Sequence, residues 1–492
     1  MKTVFAVAAV IGVCASANAA PLIGDVLTCG QAGQAGGLAP GTEMQRVDID
    51  LAVFPDALCN DGTGAVMYFR PFSDAGDRNR WVIQLQGGGG CGSGDACAKR
   101  WCMIDTNFSM TQMTSSVAPT SGIDGKGIMD RRPLNPIGSW NQVFIRYCSS
   151  DSWSGASADV DLQADLGGGP IAYRIHFLGS RILDAAIDTL RRNGVGALVH
   201  TQGGVPVTLP DLDEAEAVIV AGASAGGQGV IHNVDRLAEL LQANNVGCGG
   251  GGCPLEVMAL IDSVFAPSLE GLDFSQSVPC GTNGLCDWES VLLARNTAFV
   301  PLGDSSCQVW HQTNLPGTEW QCEDRGHVVR HHVTTPMFIR MGQEDALQSA
   351  GYIDSRYAIP GQGPMDLAGF AGLVRTELAD LANIQSTAHE GAGITTVPGV
   401  FGPTCPEHET LRNNPQIFSA VIEVNGTSYA MFDVMGNWLA GTNPSVAITS
   451  PGGVEFCPGA EVVPALSEAG LVLLGVGLVG VGAVCIRRRR EV

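Results

Sequence analysis

Basic side chains are scarce in this chain. Its 492 residues hold 27 Lys and Arg against 49 Asp and Glu, a formal net charge of −22. Binding a phosphate backbone needs clustered cations, so nucleic acid is excluded as a partner. The acidity reads as a solvated, soluble surface. Between Asp48 and Phe456 there is no internal repeat, and no linker is long enough to separate a second domain from the first. The glycine cluster Gly87-Gly88-Gly89-Gly90 lacks the Gly-Lys-Ser/Thr ending of a P-loop and the G-x-G-x-x-G helix start, which excludes a phosphate cradle. Cys248 and Cys253 flank a glycine-rich loop, but no second Cys or His pair follows at zinc spacing.

Both ends of the chain differ from its middle. Lys2, a short apolar stretch over Val4 to Val13 and the Ala17-Asn18-Ala19 site read as an export signal over residues 1–19. The body then spans 20–460. Residues 21–44, rich in Gly and Ala, read as a loose lead-in. Residues 461–492 form a tail: Pro464-Ala465-Leu466-Ser467-Glu468, an apolar run from Ala469 to Ile486, then Arg487 to Arg490. Such a run is about long enough to cross a bilayer, and the arginines would keep the C-terminus cytoplasmic. The layout resembles bacterial C-terminal sorting tails of the PEP-CTERM and IPTL-CTERM type, which implies an exported protein whose tail is recognised and cut during surface sorting; the alternative is a plain tail anchor. Sixteen cysteines are present; without Cys14 and Cys485 an even set of 14 remains, as expected of disulfides in an exported chain.

Hydrophobic residues make up 45% of the chain, enough for one large core. Short apolar strands are expected at 81–85, 142–147, 217–221 and 336–341, and helices at 179–191 and 229–242. Their alternation predicts an α/β class with a mostly parallel sheet covered by helices on both faces. Gly222-Ala223-Ser224-Ala225-Gly226 fits G-x-S-x-G, with a buried strand before it and an amphipathic helix after it. That is the strand-turn-helix of a nucleophile elbow, and it makes Ser224 the candidate nucleophile of a serine esterase with an α/β-hydrolase fold.

A serine nucleophile needs a base, and the base needs an orienting carboxylate. In this fold the chain order is Ser, acid, His. Glu344 and Asp345 both follow the strand at 336–341, and His389 and His408 both lie late enough to be the base. His232 lies two turns along the elbow helix and points away from the catalytic face. His327, His331 and His332 sit close in sequence, but no carboxylate completes a metal motif there. The N–H groups after strand 81–85 could form an oxyanion hole with that of Ala225.

Four stretches resemble the pectin acetylesterase/Notum family over roughly residues 45–415. They are Trp81-Val-Ile-Gln-Leu-Gln-Gly-Gly-Gly-Gly-Cys91, Tyr147-Cys-Ser-Ser-Asp-Ser-Trp-Ser-Gly155, Gly222 through Arg236, and Cys59-Asn60-Asp61-Gly62. The resemblance implies an Asp-x-x-Gln setting for the acid, matched by Asp345 to Gln348. It implies a Cys-x-x-His setting for the base, matched by Cys405 to His408. It further implies oxyanion donors at Gly88, Gly89 and Ala225, disulfides Cys59–Cys148 and Cys91–Cys97, and hydrolysis of an acyl ester without cofactor or metal. The expected substrate is an O-acetyl ester on an extracellular polysaccharide such as pectin; the alternatives are a lipid- or protein-linked acyl group, as in Notum, or an inactive binding scaffold. Two positions depart from the family. Gln86 stands where Glu is usual, and Gly89 and Gly90 stand where a tryptophan shapes the acyl side of the pocket.

Overall fold

The computed structural model describes residues 19–29, 37–104, 109–191, 199–202, 205–208, 211–249, 252–265, 267–269, 271–273, 303–354, 356–383, 397–413, 420–450 and 455–456. Residues 1–18 of the expected export signal, His389 and the apolar tail lie outside them. Among the described residues no helix is long and apolar enough to cross a membrane.

Nine strands form the central sheet: β1 (Gln45–Asp48), β2 (Val66–Arg70), β3 (Arg80–Leu85), β4 (Asn141–Ile145), β5 (Ala217–Ala223), β6 (Glu256–Asp262), β7 (Met337–Arg340), β8 (Gly399–Gly402) and β9 (Val446–Ile448). Their order is β1-β2-β4-β3-β5-β6-β7-β8-β9. From β4 to β9 every neighbouring pair is parallel, while β2 runs antiparallel to both β1 and β4.

The sheet's sequences explain its burial. Strand β5 reads Ala-Val-Ile-Val-Ala-Gly-Ala and is buried throughout. Successive side chains of a strand point to opposite faces. Val218 and Val220 therefore enter one core with Trp81, Ile83 and Ile261, and Ile219 and Ala221 enter the other with Val82 and Leu260. Each fully buried Val, Ile or Leu contributes about 1.5–3 kcal/mol.

Helices close the first face. In α2 (Gly179–Arg191), Ile182, Leu183, Ala186, Ile187 and Leu190 recur at helical spacing and are buried. The helix α3 (Ala225–Asn244) places Val230, Val234, Leu237 and Leu241 on the same face. On the second face lies α8 (Met431–Leu439), with Met431, Phe432, Val434 and Met435 inward. The remaining helices used below are α1 (Gly94–Cys102), α4 (Ser305–Asn314), α5 (Arg325–His331), α6 (Ala346–Asp354) and α7 (Leu367–Asn383).

Two expectations change. The lead-in is not loose where it is described: Ile23–Val26 is helical, Ile23 and Leu27 are buried, Trp101 Nε1 donates to Leu27 O, and Cys29 is bonded to Cys102. Its apolar side chains cap the core beside α1, which composition alone hid. The elbow helix starts at Ala225, four residues before the apolar periodicity becomes visible, because glycines fill its first turn. Five disulfides are described: Cys29–Cys102, Cys59–Cys148, Cys91–Cys97, Cys248–Cys253 and Cys307–Cys322.

Candidate active site

Ser224 occupies the turn between β5 and α3 with φ 54° and ψ −127°, a conformation that L-residues rarely adopt. Close packing holds it there. Ser224 N donates to Asp262 O at 3.0 Å, and Gln228 N donates to Ser224 O at 2.9 Å. A Cβ on Gly222 would lie 2.2 Å from Gly226 O, and one on Gly226 would lie 2.2 Å from Leu85 O. Only hydrogen fits at those two positions, which is why the elbow is built from glycine.

Asp345 follows β7 and is fully buried. Its Oδ1 accepts from Leu347 N at 3.1 Å and Gln348 N at 3.0 Å, so the carboxylate caps α6. Gln348 Nε2 in turn donates to Ser263 O. This double tether gives the Asp-x-x-Gln spacing its physical reason. The same carboxylate meets His408 Nδ1 at 2.8 Å through Oδ2 and 3.1 Å through Oδ1. His408 pairs with Asp345, and Glu344 is the half-buried neighbour. Because a carboxylate accepts, Nδ1 carries the proton and Nε2 keeps its lone pair. That Nε2 has no hydrogen-bond partner among the described residues. Burial alone would lower the His408 pKa; the hydrogen bond and charge of Asp345, with Glu409 and Asp262 adding, outweigh it and raise it above the ordinary value.

The loop carrying His408 is fastened by groups that sequence reasoning did not single out. Asp262 ends β6 next to the elbow, and its Oδ2 accepts from Thr410 N at 2.7 Å, Leu411 N at 3.0 Å and Thr410 Oγ1 at 3.1 Å. Its Oδ1 pairs with Arg340 at 3.2 Å, both groups buried. Arg340 also donates to Glu407 O and Ser263 Oγ, and Ser263 Oγ accepts from Glu409 N. One aspartate thus binds the Ser224 turn through its carbonyl and the His408 loop through its carboxylate. The signal available was Asp262-Ser263 at the end of a buried strand.

Gly88 and Gly89 follow β3 with φ 144° and 64°, conformations that favour glycine. A Cβ on Gly87 would meet Glu409 Oε1 at 2.3 Å and Ala223 O at 2.5 Å, so this loop, the elbow and the His408 loop touch one another. Gly88 also packs on Gln112, a buried neighbour that the sequence did not reveal. Ala225 is the first residue of α3, whose N-terminal dipole faces the turn.

The 147–155 segment supports the glycine loop. Trp153 Nε1 donates to Gln86 O at 3.1 Å, Tyr147 N donates to Gln86 Oε1 at 3.1 Å, and Cys91 N donates to Ser150 O. Thus Gln86, the departure from the family's glutamate, has a structural use as an acceptor. Asp151 organises the segment by accepting from Ser149 Oγ, Trp153 N and Gly179 N. Complete burial outweighs these bonds and raises its pKa to about 6. Cys59–Cys148 and Cys91–Cys97 anchor the segment and the glycine loop.

The family model described as Pectinacetylesterase matches residues 40–252. Over 398 residues the chain is 27% identical to palmitoleoyl-protein carboxylesterase notum1a of Danio rerio, covering 78% of this chain and 65% of that protein. It is 34% identical over 375 residues to palmitoleoyl-protein carboxylesterase NOTUM of Mus musculus, covering 75% of this chain and 61% of that one. The chain therefore spans somewhat less than two thirds of the length of these curated relatives. A solved structure of the Wnt deacylase Notum from Drosophila matches with TM-score 0.57 at 22% identity, over 83% of this chain and 100% of that one. The shared fold is the α/β-hydrolase fold.

Proposed function

Since the chain belongs to the pectinacetylesterase/Notum family, we propose that it is an exported serine carboxylesterase whose nucleophile, base and acid are Ser224, His408 and Asp345. The observation that carries this reading is the buried Asp345 carboxylate on Nδ1 of the half-buried His408, which leaves Nε2 as the proton acceptor on a loop tethered through Asp262 to the strained serine turn. His408 takes the Ser224 proton as Oγ attacks the ester carbonyl, and Asp345 holds the tautomer and the imidazolium charge. The N–H groups of Gly88, Gly89 and Ala225 receive the oxyanion, an effect worth about 2.7–4 kcal/mol per donor. Collapse expels the alcohol, and water, deprotonated by His408, then releases the acid.

The favoured substrate is an O-acetyl ester on an extracellular polysaccharide such as pectin, supported by the matching family. The second reading is removal of a protein-linked fatty acyl group, supported by the activity named for the curated relatives. We further propose cleavage of the leader at residue 19 and membrane sorting through 461–492; the described disulfides support export. Ser224→Ala should abolish p-nitrophenyl acetate hydrolysis and fluorophosphonate labelling, and most activity surviving would refute the assignment. An acyl series from acetate to palmitate, with acetylated pectin, separates the two substrates: a rate peak at acetate supports the first reading, and one at long chains the second.

A further inference from the structure

On the crossover between β6 and β7, four histidines gather. His311 comes from α4, and His327, His331 and His332 come from α5 and its C-cap. One ring nitrogen each of His311, His327 and His332, together with Cys307 Sγ, lies within 4.8 Å of all the others, and all four of these residues are buried. His311 Nε2 and His327 Nε2 are hydrogen-bonded at 3.0 Å, a contact whose shared proton a metal ion would replace. His331 stacks near His327, with ring centroids 4.9 Å apart, but stands outside this converging set. His311 is the member that spacing missed, because it lies 16 residues before His327.

The surrounding hydroxyls fix two tautomers. Thr318 Oγ1 donates its hydrogen to Leu315 O at 2.6 Å, so towards His311 Nδ1, 2.7 Å away, it can only accept. Ser306 Oγ donates to Asp304 Oδ1 at 2.6 Å, so towards His332 Nδ1, 3.3 Å away, it too can only accept. Both imidazoles therefore carry the proton on Nδ1 and present Nε2 as an electron-pair donor. A hydrogen-bonded outer partner of this kind is the arrangement that orients histidine ligands on metals. Two imidazole nitrogens about 2.0–2.1 Å from one zinc ion at tetrahedral angles sit about 3.3–3.4 Å apart, close to the spacing of His311 and His327.

We propose that His311, His327 and His332 form a buried binding site for a transition-metal ion of the zinc class. Three imidazoles without an oxygen ligand suit zinc, cobalt, nickel or copper and disfavour calcium or magnesium. Cys307 is bonded to Cys322, so its sulfur is not a thiolate, and water takes the fourth position. That disulfide joins α4 to the turn before α5 and holds the ligands in place.

The test uses the full-length protein prepared without a polyhistidine tag, stripped with chelator, then titrated with Zn²⁺ alone by calorimetry and elemental analysis. One equivalent per chain should bind, and Co²⁺ should give the visible absorption of a tetrahedral site. His311→Gln/His327→Gln should lose that equivalent. Ser306→Ala, a mild change outside the ligand set, should weaken binding about 10–100-fold, with fluorophosphonate labelling at Ser224 confirming that each variant is folded. Wild-type protein that takes up less than about a tenth of an equivalent, or a folded double variant that binds as tightly as wild type, overturns the site.

Discussion

Ser224 stood out as the candidate nucleophile because glycine and small residues leave a pattern around it; its proposed partners did not. Glu344 and Asp345 are adjacent carboxylates after the same strand, and no property of either residue alone selects one. The choice is made by contacts: the Asp345 carboxylate caps α6 and meets His408. The His408 pKa lies above the ordinary value of about 6.5. A base must be neutral, so kcat/KM should fall with acidification through a midpoint above that value. Asp345→Asn removes the charge that raises it, and should shift this limb to lower pH while cutting kcat on the order of 10³–10⁴-fold. Initial-rate assays over a pH range of about 5–9 check both; an unmoved limb would show that another group titrates. The sign for stability is opposite. Protonated His408 stabilises the fold below its unfolded pKa, and that contribution is lost as pH rises through the raised folded value.

Elements were legible where apolar residues recur. Strand β5 and helix α2 follow from uninterrupted or helically spaced apolar residues. The hairpin Ser157–Asp165 with Pro170–Phe177 was not singled out, because its first strand carries Val160, Leu162 and Ala164 as alternating apolar residues among exposed polar ones, and these pack on the small cluster beside α1 rather than in the main core. Strand β6 shows the same limit at its end: apolar pattern located it, but not the task of Asp262. Removing that charge by Asp262→Asn leaves Arg340 buried and uncompensated, which should cost about 3–5 kcal/mol in denaturant unfolding. Because the His408 loop would lose its tether, kcat should fall by more than KM rises. A variant with wild-type kcat and lowered stability would confine Asp262 to a structural role.

At the scale of the whole molecule, parallel pairing brings the ends of β5, β7 and β8 to one edge, and Ser224, Asp345 and His408 follow those three strands. Alternation of strands and helices predicted such a sheet, but strand order depends on contacts far apart in sequence. The described disulfides divide into two groups. Cys29–Cys102, Cys59–Cys148 and Cys91–Cys97 lie within the first 148 residues; Cys248–Cys253 and Cys307–Cys322 lie beyond the elbow. None of them joins the glycine loop to the serine, and those two regions meet across the β3–β5 pairing from Arg80↔Ala217 to Leu85↔Gly222. A protease site inserted between Val199–Gln202 and Val205–Thr208 would therefore cut the protein into two pieces. They should separate on a non-reducing denaturing gel, yet co-elute and remain active under native conditions; linked bands would reveal a bridge across the seam. The protein would then work as a split reporter of the proposed esterase activity, with turnover counting how often two separately expressed halves find each other.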